Sequence, residues 1–118
     1  MARSKLEEDL DDALRKLFPH DRIKEDMPIK VRGKTLYVDR IIAGAKIAIE
    51  ADGRQHFEFV AHFHKDAEGF KSHVERDRVK AEWLEQNGYT LVRISYAEEI
   101  TFESVRRKIL DALKAEAR

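Results

Sequence analysis

Asp39, Glu50 and Asp52 are the side chains of this chain best spaced to do chemistry together. They fall in "TLYVDRII", residues 35–42, and "KIAIEAD", residues 46–52, and both segments read as strands. Side chains alternate between faces along a strand, so Glu50 and Asp52 share one face of an otherwise apolar segment. Two like charges ~4 Å apart repel by roughly 4 kcal/mol at an effective dielectric near 20, so the pairing needs a cause. Asp39 sits with Tyr37 and Ile41 on one face of its strand. A tight turn centred near Gly44-Ala45 sets it opposite Glu50, within cross-strand reach.

Three converging carboxylates suit a hard divalent cation. Mg²⁺ is commonly held through one or two carboxylates, its other positions going to water and substrate phosphate. The cation offsets the repulsion, makes water more acidic and steadies charge at a phosphorus centre. The competing account is that Glu50 and Asp52 only end a strand, with Asp52-Gly53 as a turn and Arg40 or Lys46 as surface partners. Spacing alone leaves both open.

Helices and strands must position these groups. "SKLEEDLDDALRKL", residues 4–17, carries Leu6, Leu10, Ala13, Leu14 and Leu17 at helical spacing. Ser4 followed by Glu7 has the pattern of a capping box, and Phe18-Pro19 ends the helix. Residues 22–31 contain a strand in which Pro28 signals an edge or a bulge. Arg32-Gly33-Lys34 is a turn. The strands at 35–42 and 46–52 follow, making an antiparallel meander. A second helix is expected over about 70–86, with Phe70, Val74, Trp83 and Leu84 as core and Asn87-Gly88 as its stop. Residues 89–95 form a fourth strand. A last helix over about 102–116 has Thr101 as its N-cap and buries Phe102, Val105, Ile109 and Leu113. The expected class is α/β, a mixed sheet flanked by helices, in one domain over residues 1–118.

Charged residues make up 39% of the chain, but 23 basic against 23 acidic leave zero net charge. That balance argues against an indiscriminate basic coat for nucleic acid and leaves room for a local basic face. The absence of cysteine excludes disulfides, thiolate catalysis and Cys-type zinc sites. His62-Phe63-His64, with His73 beyond, lacks the helical spacing of a zinc motif, and this stretch reads as a loop or irregular helix flanking the cleft. "MARSKLEEDLDD" has no apolar signal region, and no run approaches the roughly 18 apolar residues of a membrane span. The expectation is a soluble, cytoplasmic protein.

Taken together, "YVDRIIAGAKIAIEADGRQHF" and "ERDRVKAEWLEQNGYTLVRISYAEE" resemble the PD-(D/E)xK nuclease superfamily, in particular its very-short-patch-repair-like branch. That branch includes phage and homing-endonuclease catalytic domains, so a phage-encoded protein is within its range. The similarity covers about residues 36–97. It implies a restriction-endonuclease-like core, αβββαβ plus a C-terminal helix. It places Asp39 at the metal-binding aspartate and Glu50 at the acidic position of the third strand. Asp52 stands where the signature lysine would be, a departure shared with the members carrying E-x-D-G-x-x-H. His56 resembles the histidine that assists proton transfer there, with Gln55 beside it. Asp77 and Lys80, three apart and so on one helical face, resemble polar residues aimed at the cleft. Glu7 resembles the acid that completes the site, although its place in the capping pattern half explains it.

The resemblance implies a Mg²⁺-dependent DNA endonuclease, with Mn²⁺ able to substitute. His56, or Lys80 in place of the missing lysine, would orient water or stabilise developing charge. Lys71, Arg76, Arg78 and Lys80 would grip the DNA backbone without reading sequence. No reader module is evident, so specificity would come from a distorted substrate or a protein partner, and double-strand cleavage from a homodimer. The alternative is a catalytically silent nuclease-fold module that binds nucleic acid or a partner. An enzyme acting on RNA is a third reading.

Overall fold

The computed structural model describes residues 4–52 and 67–117. It is an α/β arrangement, a four-stranded mixed sheet flanked by helices on both faces. The first helix, α1 (Lys5–Leu17), starts at Ser4, whose Oγ accepts the Glu7 N–H at 3.1 Å. Leu10, Ala13 and Leu14 are its buried stripe, and Asp11 is buried with them.

Three antiparallel strands follow: β1 (Ile23–Val31), β2 (Lys34–Ile42) and β3 (Ile47–Asp52). The β2–β3 connection is a 3-10 turn over Ala43–Ala45, closed by Lys46 with φ 57°. This turn fixes the register Ile42↔Ile47, Ile41↔Ala48, Arg40↔Ile49. The second helix, α2 (Ala67–Gln86), begins about three residues before the expected start and carries the chain to β4 (Thr90–Ser95), parallel to β3. The last helix, α3, spans Phe102–Glu116. Thr101 caps it in a reciprocal capping box with Ser104.

The sheet order is β1-β2-β3-β4, so β1, with Pro28, is an edge strand. One core lies between the sheet and α1 with α3: Leu10 and Leu14 meet Ile42, Ile47, Ile49, Val92, Val105 and Ile109. The second lies under α2, where Leu84 meets Ile29, Val38, Ile41 and Ala48.

Some apolar residues differ from expectation. Phe102 and Leu113 are exposed, as is Val74. Trp83 is only partly buried at the edge of the second core. The side chain of Phe70 lies outside the described residues.

The β1–β2 ladder keeps one register throughout, without an inserted residue, but skips Asp26 and Asp39. Asp26 has φ 45°, left-handed backbone that L residues adopt at a cost. The inward parity changes across this break. Arg40 and Ile42 face α1, whereas Leu36 and Val38 join the core under α2. The expected common face of Tyr37, Asp39 and Ile41 is thus not uniform, for Tyr37 is exposed and Ile41 fully buried.

Among the described residues no helix is long and apolar enough to cross a membrane.

Candidate active site

The β2–β3 register, carried one step beyond Arg40↔Ile49, sets Asp39 across from Glu50, and Glu50 is in turn the partner of Arg93 on β4. Three charged residues thus form a row across adjacent strands. On β3, Glu50 has the same parity as Ala48, which packs under α2. Asp77 and Lys80, one helical turn apart, hang over that row. Lys80 Nζ is 2.6 Å from Glu50 Oε1, and Arg93 Nη1 is 2.9 Å from Asp77 Oδ2. Arg93 therefore braces α2 against the sheet.

Glu50 is 4% exposed. Its Oε1 is buried, with the Lys80 ammonium 2.6 Å away as its ionic partner. Lys80 acts there as a point charge. Burial pushes the Glu50 carboxyl up to about 7; Lys80 opposes this and the negative Asp39 adds to it. An ionised carboxylate in a dry site costs free energy.

Asp39 is half-buried, and its Oδ2 accepts the Ala51 N–H at 2.8 Å. Where the ladder stops, its side chain ties β2 to β3 in place of a backbone bond. Behind it Arg40 is buried. Its Nε and Nη2 donate to the two oxygens of Asp11 at 2.7 and 3.2 Å, and its Nη1 donates to the Asp39 carbonyl at 2.7 Å. Arg40 is thus not a surface partner of Glu50. Lys46 is not one either, because its ammonium lies 4.8 Å from the Tyr89 ring centroid.

On the α1 side, a cavity of about 360 Å³ is lined by Glu7, Asp39, Ala51 and Tyr96, with Glu25 and Asp26 at its edge. Burial, and then the charges of Glu7 and Asp39, hold the Tyr96 hydroxyl above the ordinary phenol range. Glu7 therefore shares a cavity with Asp39, in keeping with a place at the site.

Asp39, Glu50, Lys80, Asp77 and Glu7 are thus gathered at one end of the sheet. Asp52 closes β3 opposite Ser95; its side chain, together with Gln55, His56, His62 and His64, lies outside the described residues. His73 sits on α2 beside Arg76 and Lys80. The donor set of Asp39 and Glu50 suits a hard divalent cation: two carboxylates side by side, one of them buried, in the number Mg²⁺ commonly uses. Among the described residues no group of three or more His, Cys, Asp or Glu side chains forms a fuller cage.

Asp11, Arg40 and Tyr96 were not anticipated as part of this surrounding. Asp11 lies three residues before Leu14, on the apolar stripe. Arg40 alternates onto the face of Ile42. Two opposite charges on inward faces were a signal available in the sequence; Tyr96, beyond the end of a strand, gave none.

Two viral proteins are similar in sequence. Uncharacterized protein 307L of Invertebrate iridescent virus 6 is 34% identical over 61 residues, 52% of this chain and 31% of the viral protein. Uncharacterized protein 094L of Frog virus 3 (isolate Goorha) is 34% identical over 79 residues, 66% of this chain and 50% of that protein. The chain thus spans half or less of these relatives. No family model and no solved structure matches it.

Proposed function

We propose that this chain is a divalent-metal-dependent DNA endonuclease with a restriction-endonuclease-like core. The observation that carries this reading is the meeting of Asp39, Glu50 and Lys80: two adjacent carboxylates, one of them buried, and an ammonium 2.6 Å from the buried one.

Asp39 and Glu50 would hold Mg²⁺ or Mn²⁺, with Asp52 as a further carboxylate. The cation, when bound, supplies positive charge at a non-bridging phosphate oxygen and favours ionisation of water. Lys80 fills the role of the signature lysine from the helix, because Asp52 occupies that lysine's place on β3. Its charge favours the hydroxide-like nucleophile and the negative charge developing on phosphorus. Water attacks phosphorus, the P–O bond to the leaving sugar oxygen breaks, and that oxygen takes up a proton. His56 is the candidate for moving protons between these groups. The Asp77–Arg93 pair holds α2, and so Lys80, at its height above the sheet.

The test is conversion of supercoiled plasmid in Mg²⁺, Mn²⁺ or EDTA by the wild type and by Asp39→Asn and Glu50→Gln. Metal-dependent conversion lost in both variants supports the reading. Open-circle product alone means nicking, and linear product means paired active sites in a homodimer. Equal activity of all three proteins, or an inert wild type on plasmid and on branched and mismatched DNA, overturns it.

A further inference from the structure

A depression of about 830 Å³ runs between the start of β2 and the first half of α2, lined by Lys34, Leu36, Lys71, Glu75 and Arg76. Two neighbouring hollows share Leu36 and Arg76 with it. One reaches back to Arg32, and the other reaches forward to Asp77 and Lys80. They form one groove, and its inner end is the lysine that stands against Glu50.

Both lips of this groove carry exposed cations. Arg32 and Lys34 project from the β1–β2 turn, Lys71 and Arg76 from α2, and all four are exposed. None forms an ion pair among the described residues. Glu75 is the acid between them, and its charge is engaged by Arg78. In a chain of zero net charge this concentration of free cations marks a place for an extended anion.

The opposite flank of the same carboxylates has the reverse sign. Its cavity presents Glu7, Glu25, Asp26 and Asp39, and the one cation among the described residues lining it, Arg40, is committed to Asp11. A phosphate chain is attracted on one side of Glu50 and repelled on the other. Along α2, Lys71 to Lys80 spans about 14 Å at the helical rise, the length of roughly four nucleotides of one strand at about 3.4 Å each.

We infer that the groove between the β1–β2 turn and α2 is a one-sided track for the phosphodiester backbone of a single nucleic-acid strand. It leads some four nucleotides to Glu50 and does not continue across the acidic flank. This rests on the nuclease reading for its substrate class and goes beyond it in assigning the path. Lys34, Lys71 and Arg76 contact phosphates from two sides, so binding depends on salt and is indifferent to sequence.

The test measures binding of a fluorescein-labelled 12-nucleotide single strand by anisotropy across a salt series in Mg²⁺, with Glu50→Gln as the parent to prevent cleavage. Adding Lys34→Glu with Arg76→Glu should weaken binding tenfold or more. Two lost phosphate contacts, at about 0.7 each for a single strand, should lower the log–log salt slope by about 1.4. Arg107→Glu with Lys114→Glu, exposed on α3, should change neither. Thermal melts check folding; if the charge-reversed pair fails to fold, Lys34→Gln with Arg76→Gln should still lower the slope. Unchanged affinity and slope in the groove variant, an equal loss in the α3 variant, or no binding by the parent overturns the track. Plasmid cleavage by the wild type is read separately. Cleavage with groove-independent binding rejects the track alone, and groove-dependent binding without cleavage rejects the nuclease reading alone.

Discussion

The ammonium of Lys80 stands 2.6 Å from Oε1 of Glu50, with the carboxylate side chain 5% exposed and the lysine 18%. Removing one partner of such a pair leaves the other charge in a dry site, typically at a cost of about 3–5 kcal/mol. Lys80→Met should therefore lower stability at pH 8 by about 3 kcal/mol in urea melts. It should also slow single-turnover cleavage by roughly 10²–10³-fold, the scale of losing one preorganised electrostatic contact. Lys80→Arg should recover most of the stability and less of the rate, because a planar fork does not reproduce a compact point charge. Undiminished stability in the Met variant would mean that Glu50 is neutral and the pair is not ionic.

The same carboxyl makes metal-free stability depend on pH. Glu50 is raised from 4.5 to about 7, by burial first. Between those values the folded chain holds a proton that the unfolded chain has released. The associated stability is complete below about 4.5 and is lost as pH rises through about 7. The limiting slope is about 1.4 kcal/mol per pH unit for one group. In EDTA the wild type should lose stability relative to Glu50→Gln as pH is raised from about 5 to 8. Mg²⁺, which binds the ionised form, should restore it at the upper end. Parallel pH profiles for the two proteins would sink this account.

Asp11 and Arg40 join α1 to β2 in the other core, each with a side chain 7% exposed. Arg40→Met strands Asp11 and removes the donor to the Asp39 carbonyl. It should cost about 3–5 kcal/mol. Asp11→Leu combined with Arg40→Met should recover much of that loss, because a well-packed apolar pair often replaces a buried ion pair without penalty. A double-mutant cycle measures the coupling. The double variant should still bind Mg²⁺ more weakly in calorimetry, because Asp39 has lost the Arg40 anchor on its backbone. Full Mg²⁺ affinity would confine Arg40 to a stabilising role.

The residues differ in how legible they were, for physical reasons. The Asp39–Glu50 juxtaposition followed from period two and from a turn centred on Gly44-Ala45, and the observed register obeys the same arithmetic. The element order and the Thr101 cap were readable because they depend on local periodicity and on side chains three residues apart. The contact between Lys80 and Glu50 needs the height and rotation of α2 over the sheet, which no local pattern encodes. Asp11 was obscured by the acid-rich first half of α1, in which one buried carboxylate looks like its exposed neighbours. Val74, on the helix that forms one wall of the basic groove, is exposed, so its helical spacing was a poor guide to burial.

The break in the β1–β2 ladder depends on Asp26, whose φ is 45° and whose register partner would be Asp39. Were the ladder continuous, Asp39 would sit in regular pleat, and Leu36 and Val38 would turn away from α2. The left-handed conformation costs a β-branched residue most and glycine least. Asp26→Gly should therefore keep stability and cleavage. Asp26→Val should lose about 1–2 kcal/mol and reduce cleavage tenfold or more as Asp39 moves from the Ala51 N–H, with oligonucleotide binding nearly unchanged because the groove cations lie elsewhere. Denaturant melts, single-turnover cleavage and anisotropy on the two variants separate these effects. A valine variant as stable and active as the wild type would show that Asp39 is held in place without the break, by Ala51 and Arg40 alone.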